Sequence, residues 1–194
     1  MSTTTTDKPR IKALYEDEVK ANVLKEFSLG NTHEAPQLTK VVINCGVGRF
    51  LDNQKLKPEI RDTVISTLTT ISGQKPVMLY AKKSVANFKV REGAPSGFMV
   101  TLRGDRMWHF VDRLFNLAIP RIKDFRGLKD TAFDKAGNYS MGLTEQAVWP
   151  EINMANVNFN HGMNINFTFE NSTPEQSRFV LAALGMPFVK KDEE

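Results

Sequence analysis

One cysteine, Cys45, and three histidines are all that this chain holds of the side chains that most often staple secreted domains or bind transition metals. A single thiol closes no internal disulfide, and His33, His109 and His161 have no zinc-binding spacing without a second cysteine. No stretch approaches the ~20 consecutive apolar residues of a membrane span, and the opening MSTTTTDKPR lacks the apolar run of a secretory signal. The expectation is a cytoplasmic protein with no membrane partner and no metal. Catalytic equipment is missing as well. There is no nucleophile elbow and no lysine with Ser or Thr in a Walker arrangement. Gly46-Val47-Gly48-Arg49 starts like a phosphate loop, but Leu51 stands where the third glycine belongs. No enzyme and no cofactor are expected. Each histidine is read as an exposed surface residue, His33 in a polar loop, His109 on the wet face of a helix and His161 in a turn. Cys45 is read as a small core residue rather than a thiolate, because nothing beside it in sequence lowers its pKa.

What is present is an ordinary globular composition: 194 residues, 41% hydrophobic and 25% charged. The formal charge of +4 becomes informative once it is located. Between Lys75 and Lys129 stand 12 basic and four acidic residues, which leaves that segment at +8 and the remainder at −4. Such polarisation points to an anionic partner for the middle of the chain, and nucleic acid ranks ahead of membrane because no basic amphipathic helix stands out.

Residues 1 to 8 include four successive threonines and no apolar anchor, so residues 1–9 are expected to form a disordered tail before a single domain over 10–194. Ile11, Tyr15, Val19, Val23 and Phe27 recur at every fourth position and predict a helix ending near Gly30. Further helices are predicted from Pro58 to Ile71, from about Asp105 to Ala118, and from Pro174 to Leu184. Between them the period drops to two. Strands are predicted at Leu38 to Cys45, Val77 to Tyr80, Asn87 to Arg91, Gly97 to Arg103 and Tyr139 to Leu143, with Asn156 to Glu170 turning a hairpin at His161-Gly162. Alternation this clean implies one buried and one wet face, and so an α+β fold with an antiparallel sheet covered by helices on one side. Asn44, Thr101 and Arg103 fall on the polar side of their strands, and they converge on one open surface if those strands share a sheet.

The basic centre holds the material best suited to contact with nucleic acid. Ala81-Lys82-Lys83-Ser84-Val85-Ala86-Asn87-Phe88-Lys89-Val90-Arg91 mixes four cations with hydroxyl and amide groups, which suits a phosphate backbone. Phe88 is expected to point inward from a strand, with stacking on a base as the alternative. Ile119 to Leu128 forms a basic, Pro- and Gly-punctuated loop suited to RNA or protein, and Phe133 to Gly142 carries hairpin chemistry suited to protein contact. Residue chemistry alone also fits a free-standing RNA chaperone or regulator.

Six segments in order, Asn44-Cys45-Gly46-Val47-Gly48, Ile71 to Pro76, Lys83-Ser84-Val85-Ala86, Val100 to Gly104, Ile119 to Leu128 and Phe133 to Gly142, resemble the bacterial family of large-subunit ribosomal protein five, over about residues 10–190. Cys45, where that family often has Met, and Trp149, where Phe is usual, depart from its pattern, as does a longer N-terminal tail. The resemblance implies a structural constituent of the large ribosomal subunit that attaches 5S ribosomal RNA in the central protuberance, beside 23S ribosomal RNA and other 5S-associated proteins. For the 5S contact it implies the open face of the sheet, where Asn44, Gln74, Thr101 and Arg103 are assigned, with backbone approach at Gly46 and Gly48. It further implies contact with transfer RNA in the peptidyl site by the loop from Gln74 to Ala86, assigned to Lys75, Lys82, Lys83 and Ser84. Arg121, Lys123, Asp124, Arg126, Asp134, Lys135 and Asn138 match segments that reach the small-subunit head and ribosomal protein thirteen there.

Overall fold

The computed structural model describes residues 8–52, 55–88, 90–153 and 159–189. Two compact units emerge, one built from the chain up to Lys40 with Arg103–Tyr139 and the chain from Phe167 onward, the other from Val41–Leu102 and Ser140–Asn166. Five strands among the described residues form one sheet in the order β4-β5-β1-β7-β6, and their ranges are β1 Gln37–Gly46, β4 Val77–Tyr80, β5 Pro95–Leu102, β6 Tyr139–Leu143 and β7 Met163–Glu170. β2 (Leu51–Asp52) and β3 (Lys55–Leu56) make a separate small ribbon. The fold is α+β, as the alternation predicts.

In the second unit β1 runs antiparallel to β5, with Val42 opposite Thr101 and Asn44 opposite Met99, and β4 continues the sheet with Val77 opposite Met99. Period-two patterning then decides the faces. Val41, Ile43 and Cys45 of β1 and Phe98, Val100 and Leu102 of β5 are buried, while Val42, Asn44, Met99 and Thr101 keep part of their surface open. Helix α3 (Pro58–Ser72) packs on β5 through a stripe that includes the buried Val64, Leu68 and Ile71. Pro58 pre-sets the first turn, and Gly73 ends the helix in the left-handed conformation at φ 67°.

Helices dominate the first unit. α1 (Arg10–Leu14), a π-helical turn (Tyr15–Val19) and α2 (Lys20–Glu26) follow one another without a break. The π turn has a physical cause in the spacing. Apolar residues four apart drift about 40° per step around an α-helix of 3.6 residues per turn. One wider turn in the middle takes up that drift, and Ile11, Tyr15, Val19 and Val23 all stay buried. Phe110, Leu114 and Ala118 repeat the device where α4 (Gly104–Arg113) passes into a second π turn (Leu114–Ala118). α1 packs on α4, and the Tyr15 ring stacks on Trp108 at 5.5 Å while its hydroxyl donates to Pro36 O at 2.6 Å. α2 packs on α5 (Pro174–Ala183), whose start is closed by a reciprocal capping box between Thr173 and Gln176.

The structure departs from several sequence expectations. The predicted strand Asn87 to Arg91 is instead a 3₁₀ turn (Ala86–Phe88) closed by a single bridge between Val85 and Val90, residue 89 lying outside the described residues. β5 stops at Leu102, so Arg103 is an exposed extended residue leading into α4 and not a strand residue. Among the described residues no strand leads into His161-Gly162. Phe159 and Asn160 are not in a strand, residues 154–158 lie outside the described ones, and β7 starts at Met163. In place of strand pairing, the Gln146 side chain accepts from His161 N at 2.7 Å and donates to Phe159 O at 2.8 Å, which satisfies backbone groups a ladder would have used. Last, His161 is not a surface residue: it is only 3% exposed. Of the tail, residues 1–7 lie outside the described residues, and Pro9 is buried where α1 begins.

Candidate nucleic-acid interface

β1 delivers Asn44 and Gly46 to the open side of the second unit, and the 3₁₀ turn after it (Gly48–Phe50) bends the chain around an open depression of about 1040 Å³. Asn44, Gly46 and Gly48 line it together with Arg49, Phe88, Asn160 and Asn164. A Cβ at either Gly46 or Gly48 would meet nothing within 4 Å, and neither glycine has a positive φ. The protein's own packing therefore does not require glycine at these two positions, and the space they leave opens onto the depression.

The structure brings the assigned 5S-contact residues together only in part. Thr101 shares the open sheet face with Asn44, two residues along β5 from its partner Met99. Gln74 stands outside the paired strands, between the end of α3 and the start of β4, with its main chain hydrogen-bonded to the Ser72 hydroxyl. At about 3.4 Å per residue, Thr101 and Gly97, the partner of Gly46, stand about 14 Å apart along the strand. Arg103 belongs to the other unit and is exposed.

Of the residues assigned to transfer RNA, Lys75, Lys82 and Lys83 are exposed. The Ser84 hydroxyl is already engaged, accepting from Glu92 N at 2.9 Å, and Val85 and Val90 exchange backbone hydrogen bonds of 2.9 and 3.2 Å. That hydrogen-bonded end holds Phe88 out into solvent at 78% exposure, so the inward reading of this residue is overturned. In the first unit, Arg121, Lys123, Asp124, Arg126 and Lys135 are exposed. Asp134 and Asn138 have internal work: Asp134 accepts from Ala136 N, Asn138 N and Asn138 Nδ2 at 2.8 to 2.9 Å, and Asn138 Oδ1 accepts from Phe169 N at 3.0 Å. The Asn138 bonds hold the Asp134 carboxyl below its ordinary range. These two residues shape the loop that displays Lys135.

Behind the depression, His161 Nδ1 lies 3.3 Å from Cys45 Sγ, and its Nε2 has no hydrogen-bond partner among the described residues. Sequence reasoning missed this pairing, since 116 residues separate the two and neither neighbourhood announces the other. Burial pushes the Cys45 thiol up to about 11, as suits a core residue, and pulls the His161 imidazole below its ordinary 6.5 against a smaller opposing effect of Gly162 O. Folding thus favours neutral His161. The associated stability is complete above pH 6.5 and is lost as the pH falls from there toward the folded-state value, at up to ~1.4 kcal/mol per pH unit. Asp134 adds a loss of its own only below its ordinary 3.8. Urea unfolding between about pH 5 and 8 is expected to show this slope in the wild type and not in His161→Asn; equal slopes would contradict the assignment.

An open depression with several amides and a cation in its lining, on an α+β scaffold, has chemistry that suits a nucleic-acid-binding protein. No helix among the described residues is long and apolar enough to cross a membrane. Comparison with known proteins agrees with this class. Residues 31–91 match the family model described as ribosomal protein L5, and residues 95–188 match the model of that ribosomal family's C-terminus. Among curated relatives, the large ribosomal subunit protein uL5 of Leifsonia xyli subsp. xyli is 48% identical over 93% of this chain and 90% of its own length. Its namesake in Marinomonas sp. is 48% identical over 93% and 99%, and that in Synechocystis sp. 45% identical over 92% and 97%. The chain belongs to the ribosomal protein L5 family. Members are structural, non-enzymatic proteins of the large ribosomal subunit, which places this one with the ribosome in the cytoplasm.

Proposed function

We propose that this protein binds 5S ribosomal RNA through the open face of its second unit and helps attach that RNA in the central protuberance, next to 23S ribosomal RNA and other 5S-associated proteins. The observation that carries the reading is the meeting of Asn44, Gly46 and Gly48 at one open depression, with Thr101 on the same sheet face. RNA helices hide their base edges in a deep groove, so amide, hydroxyl and backbone groups on an open surface suit their sugars, phosphates and unpaired bases. Lys75, Lys82 and Lys83 supply a sequence-independent contact to the backbone of peptidyl-site transfer RNA, and Ser84 shapes the loop that presents them. Arg121, Lys123, Asp124, Arg126 and Lys135, with Asp134 and Asn138 holding the loop that carries Lys135, reach the small-subunit head and its ribosomal protein thirteen.

The test is a salt titration of the purified protein on cognate 5S RNA, with transfer RNA and an unrelated duplex as competitors. A preference for 5S RNA that survives physiological salt is expected. Equal binding to all three that vanishes with salt would leave only a basic surface, as a free-standing RNA chaperone has. For transfer RNA, replacing Lys82 and Lys83 by Gln is expected to flatten the dependence of log affinity on log salt by about 0.7 to 0.9 for each phosphate no longer neutralised. An unaltered slope would remove these lysines from the transfer RNA interface.

A further inference from the structure

The sequence favours an inward Phe88, and the structure leaves it 78% exposed at the rim of the same depression that Asn44 lines. A large exposed aromatic ring is informative when something holds it in place. Here the Ser84 hydroxyl bond to Glu92 N and the paired backbones of Val85 and Val90 close the loop behind it. The same depression is lined by the exposed side chains of Asn160 and Asn164 and the half-exposed Asn44, three amides that each offer donors and an acceptor. Gly142 leaves room there, since a Cβ on it would come within 3.3 Å of Asn164 Oδ1. Phe50, also in the lining, packs edge-on against Phe159 at 5.0 Å, which holds its ring in place. Arg49 is exposed at the border, where a phosphate would pass.

We propose that this depression receives one unstacked base of the bound RNA, with Phe88 as the stacking platform and Asn44, Asn160 and Asn164 reading the base edge. The chemistry favours a base over an apolar protein side chain, because the hollow combines an exposed aromatic face at Phe88 with several amides and a bordering cation. Single-stranded loops and bulges present bases in this way, stacked on aromatic rings and hydrogen-bonded along their edges. The inference rests on the RNA-binding reading above and deepens it: the contact includes a base as well as sugar and phosphate.

Its test uses the full chain and cognate 5S RNA. Trp108 and Trp149 are both buried, so Phe88→Trp adds an exposed indole whose emission reports stacking. Phe88→Trp is expected to keep wild-type affinity and to lose emission on binding RNA. Phe88→Leu, which keeps apolar bulk and removes the π face, is expected to weaken binding about ten- to a hundredfold without altering the salt slope. A Phe88→Leu protein that binds within about twofold of wild type, or a Phe88→Trp protein whose emission ignores bound 5S RNA and responds only to ribosomal proteins, would overturn the proposal. If the wild type shows no 5S preference at all, the functional reading itself has failed, and that outcome is separable from the other two.

Discussion

Asn44→Ala is expected to lower affinity for 5S ribosomal RNA by roughly ten- to a hundredfold, equivalent to about 1–3 kcal/mol, and to leave the protein folded. Folding survives because Asn44 contributes to the sheet through its main chain, paired with Met99, while its side chain lies on the half-open face. The residual effect on stability is that of a strand propensity, under about 1 kcal/mol. Affinity falls because an RNA group that was matched to the amide is left facing a methyl group in a partly desolvated contact. Thr101→Ala, on the same face, is expected to follow with a smaller loss of about three- to tenfold, since a hydroxyl makes fewer hydrogen bonds than an amide. Filter binding at physiological salt, with urea unfolding as control, measures both. Unchanged affinity in both variants would take the open sheet face out of RNA recognition.

The largest effect on stability is expected at Phe167. Its side chain is fully buried in β7, with ring centroids 6.1 Å from Phe115 and 6.2 Å from Tyr139 inside the first unit. Phe167→Ala removes that ring from a core that cannot fully close around the gap, at a cost of about 3–5 kcal/mol. Against the ~5–15 kcal/mol of a typical domain, such a loss moves the urea midpoint far toward zero with little change in slope. RNA binding by this variant should fall only in proportion to the unfolded fraction, the reverse of the pattern for Asn44→Ala. A cost below about 1 kcal/mol would mean that the aromatic cluster is not a tightly packed core.

Much of this architecture is legible along the chain. The helix from Pro58, the strands at Val41 to Cys45 and Phe98 to Leu102, and the burial of Met107, Phe110, Val111, Leu114 and Phe115 follow from periodicity, and the structure places them accordingly. The π turns are legible only in retrospect, in the strict spacing of four from Ile11 to Val23. Around the site, the Asn44-Gly46-Gly48 group is readable as polar and glycine-rich, but its neighbours Asn160 and Asn164 carry no signal beyond strand alternation. Gln146 carries none at all, because a glutamine that replaces strand pairing for a segment some fifteen residues on looks like any other glutamine.

The order of residues alone settles the α+β class, the face that β1 and β5 present to water, the basic character of the chain's middle and the succession of motifs that marks the family. These are local or additive properties: periodicity depends on nearest neighbours, and charge and motif order need no coordinates. Which individual residues are covered was settled in three dimensions. His161 is buried because Cys45, far away in the chain, lies against it, and Phe88 is exposed because its loop closes on Ser84 and Glu92 instead of pairing as a strand. Burial of a single side chain depends on which remote segment arrives above it, and that information lies in the packing of the whole unit rather than in any window of sequence.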